Sequence, residues 1–276
     1  MKDLININLN KLKKANIPNP EIDLRVIISS TKKIKNEFLI RTIDSKDIDI
    51  KKFNSFINRR LQNEPISKII NKKNFWKDDF YVDTNVLDPR PETEGIIEAS
   101  IDLYKNKEKE LKILDIGTGS GAISISLVRE FKNAKILATD ISENAIKIAK
   151  KNIFKKKLQN NIKIKKIPLN EIKSSFDLIV SNPPYLSELE YQYVSKDIKN
   201  YEPKIALCAG RDGLEFYREL AKNVYKLIKK NGFLLIEIGE NQLDECLNIF
   251  QNSKLKFEKK MQDLQKKDRI LLFSKL

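Results

Sequence analysis

The chain has 276 residues, and 41% of them are hydrophobic, so it can fill a sizeable core in one large domain or in two. It carries a formal net charge of +15 and contains no histidine. The lack of histidine excludes sites built on imidazole, such as Ser-His or Cys-His nucleophiles and His-ligated metals.

The sequence lacks the usual features of membrane, secreted and metal-binding proteins. No apolar run approaches the roughly 20 residues that a membrane span needs, and residues 1–10 lack the apolar core of a secretory signal. Cys208 and Cys246 are too few and too widely spaced for a disulfide framework or a zinc site. We therefore expect a cytoplasmic protein that binds no metal and does not associate with a membrane.

The lysine excess is spread along the whole chain, for example at 155–157 and 229–230, and forms no patterned stripe. A basic surface can steer a protein toward RNA, DNA or ribosomes. Runs of lysine are nevertheless common on solvated helix faces. We interpret the charge as compositional bias and do not expect direct binding to nucleic acid.

Residues 1–73 have the apolar periodicity of short helices, and we predict a small N-terminal helical bundle there. The second helix is expected to begin at Asn19-Pro20 and to continue over 22–29. The first and third helices have apolar stripes formed by Leu4, Ile5, Leu9 and Leu12, and by Phe53, Phe56, Ile57 and Leu61.

After the bundle, residues 74–88 are predicted to form a β-hairpin linker, because β character extends over 75–87. Residues 89–276 then alternate between strand and helix patterns. Strands are predicted at 111–116, 135–139, 162–167, 176–180 and 232–238, with a closing pair at 256–257 and 270–273. Helices are predicted from 122 onward and over 145–153, 214–228 and 243–250. The alternation predicts an α/β domain with a mainly parallel sheet and helices on both faces.

A glycine-rich turn follows the first strand of this domain. The turn is Gly117-Thr118-Gly119-Ser120-Gly121, and a helical pattern begins directly behind it. Strand, turn and helix in this order place open backbone at the carboxyl edge of a parallel sheet, where α/β proteins bind nucleotide-like ligands. We expect Thr118 and Ser120 to contribute backbone and hydroxyl contacts.

Two acids flank the turn. Asp140 ends the next strand and is placed to accept hydrogen bonds from both hydroxyls of a ribose. Asp115 precedes the glycines, where it can bind an amino-acid ammonium group; alternatively, it only caps the turn. The glycine spacing also fits a dinucleotide-binding fingerprint. The position of Asp115, together with a tetrapeptide further along the chain, favours S-adenosylmethionine instead.

That tetrapeptide is Asn182-Pro183-Pro184-Tyr185, which directly follows the apolar run at 176–181. Two prolines fix φ at about −65° and hold the preceding asparagine extended, so its amide and the neighbouring carbonyls point in fixed directions. Such a site can hold a planar amide or amino group whose nitrogen is to be methylated. Alternatively, the tetrapeptide is only a turn after a strand.

In this order, these motifs and several others resemble those of the peptide chain release factor N5-glutamine methyltransferases, the PrmC or HemK family. The resemblance extends from Arg59 to the end of the chain. The matching segments are Arg59-Arg60, Glu64-Pro65-Ile66, Phe75-Trp76, Pro89-Arg90-Pro91-Glu92-Thr93-Glu94, 115–121, 182–185, Glu202-Pro203, Gly210-Arg211-Asp212-Gly213-Leu214, Glu237-Ile238-Gly239 with Gln242, and Asp268-Arg269. Each segment is short, and their order makes the resemblance specific.

The resemblance implies a class I S-adenosylmethionine-dependent methyltransferase fold over 89–276, with a seven-stranded, mainly parallel sheet, and an N-terminal bundle over 1–73 that docks the substrate. It implies methyl transfer from S-adenosyl-L-methionine to the side-chain nitrogen of the glutamine in the Gly-Gly-Gln motif of class 1 release factors, which modulates translation termination. Release factors would be the partners, and we expect the enzyme to be a monomer.

The resemblance also implies a set of site residues. The cofactor-binding residues would be Asp115, Gly117, Thr118, Gly119, Ser120, Gly121, Asp140, Leu169 and Asn182. The substrate-binding residues would be Arg90, Pro91, Glu92, Asn182, Pro183, Pro184 and Tyr185. Asn182, Pro183 and Tyr185 would be catalytic. The sequence departs from the family at Ile167-Pro168-Leu169-Asn170, where an acid and an aromatic residue are usual, and Leu169 is expected to cover the adenine ring.

In the expected mechanism, Asn182 and a neighbouring carbonyl accept hydrogen bonds from the glutamine NH2, while Tyr185 packs against the amide plane. The alternatives are a ribosomal-protein glutamine methyltransferase, a nucleic-acid adenine or cytosine amino-methyltransferase, a nicotinamide-dependent oxidoreductase and a noncatalytic RNA-binding protein. Residues 91–94 argue against the first alternative, and the lack of a large target-recognition region argues against the second. The missing histidine and the tetrapeptide argue against the oxidoreductase.

Overall fold

A computed structural model describes residues 2–32 and 47–276. The part of the predicted helical bundle at 33–46 lies outside the described residues. Within the described ranges, no helix has both the length and the apolar content that crossing a membrane requires.

The chain divides into two compact units. Met1–Lys72 and Ser195–Tyr201 form the first unit, and Lys73–Val194 and Glu202–Leu276 form the second. The predicted catalytic domain included 195–201, which the structure instead groups with the N-terminal helices. One contact of this segment within the first unit is the hydrogen bond that the hydroxyl of Tyr201 donates to the backbone oxygen of Gln62 at 3.4 Å.

The first unit is helical, and its described helices before residue 72 are α1 (Lys2–Lys14), α2 (Pro20–Thr31), α3 (Ile50–Leu61) and α4 (Ile66–Ile70). The predicted stripes form its core: Leu12 and Phe53 are fully buried, and Leu4, Ile5 and Leu9 pack against them. Arg60 on α3 donates to Asp23 on α2 at 2.6 Å, which adds a partly buried ion pair between these helices.

The second unit begins with an antiparallel hairpin of β1 (Lys73–Phe75) and β2 (Asp78–Phe80). The sequence predicted a hairpin over 74–88 with β character over 75–87; a hairpin is present here, but its second strand ends at Phe80. The chain turns at Trp76, whose φ is +54°. After β2, the side chain of Asn152 replaces a strand partner, because it accepts from the backbone N–H of Tyr81 at 2.8 Å and donates to the backbone oxygen of Tyr81 at 3.0 Å.

A seven-stranded sheet forms the centre of this unit. Its strands are β3 (Lys112–Ile116), β4 (Lys135–Asp140), β5 (Ile162–Lys166), β6 (Phe176–Ser181), β7 (Ile228–Glu237), β8 (Lys256–Gln262) and β9 (Asp268–Ser274). They lie in the order β5-β4-β3-β6-β7-β9-β8. The first five strands of this order are parallel, and β9 is antiparallel to both of its neighbours. The predicted mainly parallel sheet is confirmed.

Helices pack on both faces of the sheet. They are α5 (Glu94–Leu103), α6 (Ala122–Glu130), α7 (Glu143–Lys155), α10 (Glu215–Leu227) and α11 (Leu243–Gln251). The short helix α8 (Glu188–Tyr193) has no buried residue, and α9 (Lys196–Tyr201) belongs to the first unit. Two hydrophobic clusters contain most of the buried apolar residues of this unit. Successive residues of a strand point to opposite faces of the sheet, so Ile113 belongs to one cluster and Leu114 to the other. Both residues are fully buried.

The sequence did not predict α4, α5, α8 or α9. Three of them have only five or six residues, which is too short for a periodic signal. In α5 the first turn contains Gly95, which weakens the helical signal. A Cβ at Gly95 would lie 2.7 Å from Cδ1 of Ile270, so the glycine lets α5 approach β9 closely.

Candidate active site

Four chemical features meet at one edge of the sheet because β4, β3, β6 and β7 are adjacent and parallel. The glycine turn follows β3, and Asp140 ends β4. The tetrapeptide Asn182–Tyr185 follows β6, and Glu237 ends β7. The sequence predicted the first three of these features and assigned no role to Glu237.

The glycine turn leaves open space beside its backbone. Gly117, Gly119 and Gly121 have φ values of +73°, +54° and +83°, which side chains with a Cβ rarely adopt. The backbone N–H groups of Gly117 and Thr118 donate to the backbone oxygen of Thr139 at 2.9 Å, which joins the turn to β4. Chain neighbours aside, no described atom lies within 4 Å of where a Cβ would stand at Gly117 or Gly119. The turn can therefore accept a ligand against its main chain.

Asp115 lies beneath this turn and is fully buried. Its Oδ2 accepts hydrogen bonds from the hydroxyls of Thr118 at 2.7 Å and Ser124 at 2.6 Å. Its Oδ1 is buried and has no hydrogen-bond partner among the described residues. Burial raises the pKa of Asp115 to about 6, and the two hydroxyls oppose that rise. One oxygen thus caps the turn, as the alternative interpretation expected, and the other remains available to a ligand cation.

Asp140 joins the turn to the end of β4. Its Oδ2 accepts from the backbone N–H of Gly119 and its Oδ1 from that of Ser142, both at 2.9 Å. Burial raises its pKa, and the backbone N–H groups oppose the rise. The next residue, Ile141, is an apolar side chain that is 59% exposed at the same edge. An exposed isoleucine beside a half-buried acid suits a ring attached to a ribose.

Only one end of the Asn182 side-chain amide makes a hydrogen bond within the described residues. Its Nδ2 donates to Oγ1 of Thr93 at 2.8 Å. Its Oδ1 is buried and has no hydrogen-bond partner among the described residues. A buried acceptor without a donor carries a free-energy cost of about 1–3 kcal/mol, so such groups often mark a site that a ligand completes.

Thr93 and Glu237 extend this contact into the protein. The Thr93 hydroxyl donates to Oε2 of Glu237 at 2.6 Å. Both residues are buried, at 3% and 2% exposure. Burial raises the pKa of Glu237 to about 7, while the Thr93 hydrogen bond and the positive charge of Arg269 oppose the rise. A carboxylate in the core is therefore joined to the tetrapeptide through one hydroxyl.

The rest of the tetrapeptide is fixed by its backbone. Gln242, on the residue before α11, donates from Nε2 to the backbone oxygen of Tyr185 at 2.8 Å. The N–H of Tyr185 donates to the backbone oxygen of Leu207 at 3.1 Å. Burial raises the pKa of the Tyr185 phenol to about 12, so the hydroxyl stays protonated. Pro183 is buried, and Pro184 is half-buried.

The predicted substrate residues 90–92 lie just before Thr93, in the segment that leads into α5. Arg90 is half-buried and donates to the buried carboxylate of Glu202 at 2.5 Å. Pro91 is exposed, and Glu92 is half-buried. Both line a cavity of about 610 Å³ beside β8 and β9 that Arg269 also lines.

Leu169 does not have the surroundings that the sequence suggested. It is 6% exposed and lies in the hydrophobic cluster that contains Ile172 and Phe176. The exposed apolar residue of this segment is Pro168. A leucine packed in the core has little surface left for a ring, so Pro168 and Ile141 are the better candidates for that contact.

No hydrogen-bonding role was predicted for Thr93, Glu237, Gln242 or Ile141, although the first three lie in segments that resemble the family's motifs. Glu237 had a usable signal, since it is an acid at the end of an apolar strand, as Asp140 is. For Thr93 and Gln242 the family resemblance of their segments was the available signal. Among the described residues, no group of three or more Cys, Asp or Glu side chains is arranged to hold a metal ion.

Two family models match the chain. One, described as a methyltransferase domain, matches residues 107–272, and the other, described as the PrmC N-terminal domain, matches residues 4–70. The release factor glutamine methyltransferase of Clostridium acetobutylicum is 34% identical over 278 residues, which are 99% of this chain and 97% of that protein.

A bifunctional methyltransferase of Rickettsia typhi is 36% identical over 297 residues, which cover 99% of this chain and 57% of that protein. The chain thus spans little more than half the length of the bifunctional relatives. Among solved structures, the catalytic domain of hMettl16 in complex with an RNA hairpin matches with a TM-score of 0.52 and 21% identity, covering 71% of this chain and 75% of that chain. This likeness concerns the fold alone.

Proposed function

The chain belongs to the release factor glutamine methyltransferases, and on that premise we propose that it methylates the side-chain amide nitrogen of the glutamine in the Gly-Gly-Gln motif of class 1 release factors. The methyl donor is S-adenosylmethionine. The tetrapeptide Asn182–Tyr185 would hold the glutamine amide beside the glycine turn.

The buried Oδ1 of Asn182, without a partner among the described residues, is the observation that carries this proposal. One N–H of the Asn182 amide donates to Thr93, and its carbonyl oxygen is the buried acceptor that is left to meet a substrate. An acceptor pairs with the NH2 end of a glutamine side chain and not with its carbonyl end. The tetrapeptide therefore selects the nitrogen that is to be methylated and fixes its direction.

The residues at the edge of β3 and β4 fit the cofactor. S-Adenosylmethionine supplies an electrophilic methyl group on a sulfonium. The open space beside Gly117 and Gly119 would hold its amino-acid part, and Oδ1 of Asp115 would face the ammonium group. Asp140 would accept from the ribose hydroxyls, and Ile141 would cover the adenine ring.

Catalysis would rest on orientation and on exclusion of water. An amide nitrogen is a poor nucleophile, and well-oriented reactants gain about 7–11 kcal/mol from proximity. The half-buried Tyr185, fixed by Gln242 and Leu207, would pack on the amide plane and keep water away. The chain has no imidazole base, so the proton would leave after methyl transfer, when the nitrogen has become acidic.

The experiment is transfer of labelled methyl from S-adenosylmethionine to purified class 1 release factor, with the labelled residue mapped by mass spectrometry. The matched control is the same release factor with Glu in place of the Gly-Gly-Gln glutamine. Label on that glutamine alone supports the proposal. Label on a ribosomal protein, DNA or RNA offered in parallel reactions, with none on release factor, contradicts it.

A further inference from the structure

Three side chains from different parts of the second unit form a short hydrogen-bonded chain. Asn182 follows β6, Thr93 precedes α5, and Glu237 ends β7. Nδ2 of Asn182 donates to Oγ1 of Thr93 at 2.8 Å, and Oγ1 of Thr93 donates to Oε2 of Glu237 at 2.6 Å. This row of hydrogen bonds ends at the buried carboxylate of Glu237 on one side and at Oδ1 of Asn182, which has no partner among the described residues, on the other.

The direction of these hydrogen bonds follows from counting hydrogens. A carboxylate can only accept, so the single hydroxyl hydrogen of Thr93 must go to Glu237. Oγ1 of Thr93 then has only lone pairs to offer Asn182, and Asn182 must turn its NH2 toward Thr93. Its Oδ1 is thereby left facing the substrate side.

We propose, building on the function proposed above, that Thr93 and Glu237 are positioning residues that set the orientation of the Asn182 amide, and that this orientation holds only while Glu237 is ionised. A protonated Glu237 can itself donate to Thr93. The Thr93 hydrogen is then free for Asn182, whose amide can rotate and present NH2 to the substrate. Two NH2 groups facing each other make no hydrogen bond, so the glutamine is no longer held.

The surroundings of Glu237 place its titration within the working range of an enzyme. Burial raises its pKa to about 7. Arg269 on β9 and Arg90 before α5 lower the pKa, and the nearby carboxylate of Glu92 raises it. The phenols of Tyr185 and Tyr217 also lie close to Glu237 and have raised pKa values, so they remain neutral. Glu237 is therefore the group of this cluster that changes charge near neutral pH.

The test compares Thr93→Val, which removes the hydroxyl at nearly constant volume, with Thr93→Ser, which keeps it. Single-turnover methylation of release factor is measured on the full chain at saturating S-adenosylmethionine. We expect Thr93→Val to lower the rate about 100-fold, as loss of a positioned hydrogen bond does, and Thr93→Ser to stay within a few-fold of wild type. Calorimetric affinity for S-adenosylmethionine should be unchanged in both variants. Equal rates for the two variants would overturn the inference.

A pH profile gives the second readout. For wild type we expect the rate to fall about tenfold per pH unit below a midpoint near pH 7, since the competent state needs one proton removed. Glu237→Gln carries no such proton, so the limb of its pH profile near pH 7, where the wild-type rate falls, should be absent. The rate of this variant should fall only at lower pH, where Asp115, with its pKa of about 6, becomes protonated. A Glu237→Gln variant that keeps the limb near pH 7 would contradict the inference.

The two proposals fail in different ways. A folded wild-type protein that methylates no release factor at any pH contradicts the proposed function, and the inference falls with it. An active wild type whose rate has no limb near pH 7, or does not distinguish Thr93→Val from Thr93→Ser, contradicts the inference alone. If Glu237→Gln does not fold, the comparison of Thr93→Val with Thr93→Ser and the wild-type dependence of rate on pH still test the inference.

Discussion

Gln242 donates from its side-chain Nε2 to the backbone oxygen of Tyr185 at 2.8 Å, which fixes the end of the tetrapeptide to the start of α11. The same side chain accepts from the N–H of Gly239 at 3.0 Å. Gly213 lies against this contact, because a Cβ there would stand 2.3 Å from the Tyr185 oxygen. One amide therefore holds two loops together at the proposed substrate side.

We predict that Gln242→Glu keeps the acceptor for Gly239 but places a carboxylate against the Tyr185 oxygen. Loss of that donor should lower the free energy of unfolding by about 1–3 kcal/mol and lower methylation at least tenfold. Denaturant unfolding and labelled-methyl transfer measure the two effects. The control is Gln251→Glu at an exposed position of α11. Equal behaviour of both variants would contradict the role of Gln242.

Asn182→Ala removes the proposed acceptor for the glutamine NH2. We expect a loss of about 100-fold or more in turnover, the usual effect of deleting one positioned hydrogen bond at a reacting centre. The far-UV spectrum and the thermal transition should stay close to wild type. Asn248→Ala, at an exposed position of α11, is the matched control. Glutamine methylation at the wild-type rate by Asn182→Ala would eliminate the mechanism.

Asp115 makes a pH-dependent contribution to stability whose sign follows from its pKa. Burial raises that pKa to about 6 in the folded protein, so the folded state holds this proton more tightly than the unfolded state does. Asp115 therefore destabilises the fold above pH 6, and this penalty disappears as the pH falls through 6 to 4.

Asp115→Asn keeps an acceptor for the Thr118 and Ser124 hydroxyls and has no such proton. Its free energy of unfolding relative to wild type should rise by about 2 kcal/mol from pH 4 to pH 7. Urea unfolding at several pH values measures the difference. A difference that does not change with pH would show that Asp115 titrates normally.

Ile141 and Leu169 give opposite predictions because one is exposed and the other is buried. Ile141→Ala removes an apolar surface that is 59% exposed and should weaken S-adenosylmethionine binding by about 1 kcal/mol with little effect on folding. Leu169→Ala empties a core position and should lower the free energy of unfolding by about 2–5 kcal/mol. Calorimetry and denaturant unfolding separate the two. Weaker cofactor binding by Leu169→Ala alone would restore Leu169 as the residue against adenine.

The main elements of the sheet domain could be predicted because their signals are local. The apolar run before the glycine turn, for example, predicts β3 at 111–116, and the structure has it at Lys112–Ile116. The hairpin is shorter than predicted, and the backbone after it pairs with the side chain of Asn152, 71 residues away from Tyr81. A contact with so distant a side chain leaves no sign in the local sequence.

In the candidate site, too, the residues with a local signal could be predicted and the others could not. The glycine turn, Asp140 and the tetrapeptide could be found because each directly follows or ends an apolar strand. Thr93 lies 89 residues from Asn182 and 144 residues from Glu237. Its pairing with both residues depends on the order of strands in the sheet and on the path of the segment before α5. The burial of Leu169 could not be predicted, because spacing alone does not show whether a loop leucine faces the core or the solvent.

We expect Asn152 to affect the kinetics of cofactor binding as well. Its Nδ2 also donates to the backbone oxygen of Ser120 at 2.8 Å, so one buried amide on α7 holds both the chain after β2 and the glycine turn. The turn is thereby ordered when the protein folds, and the conformational entropy of its residues is not lost again on binding. We therefore expect the association rate of S-adenosylmethionine to be set by diffusional encounter with the sheet edge and not by closure of the loop.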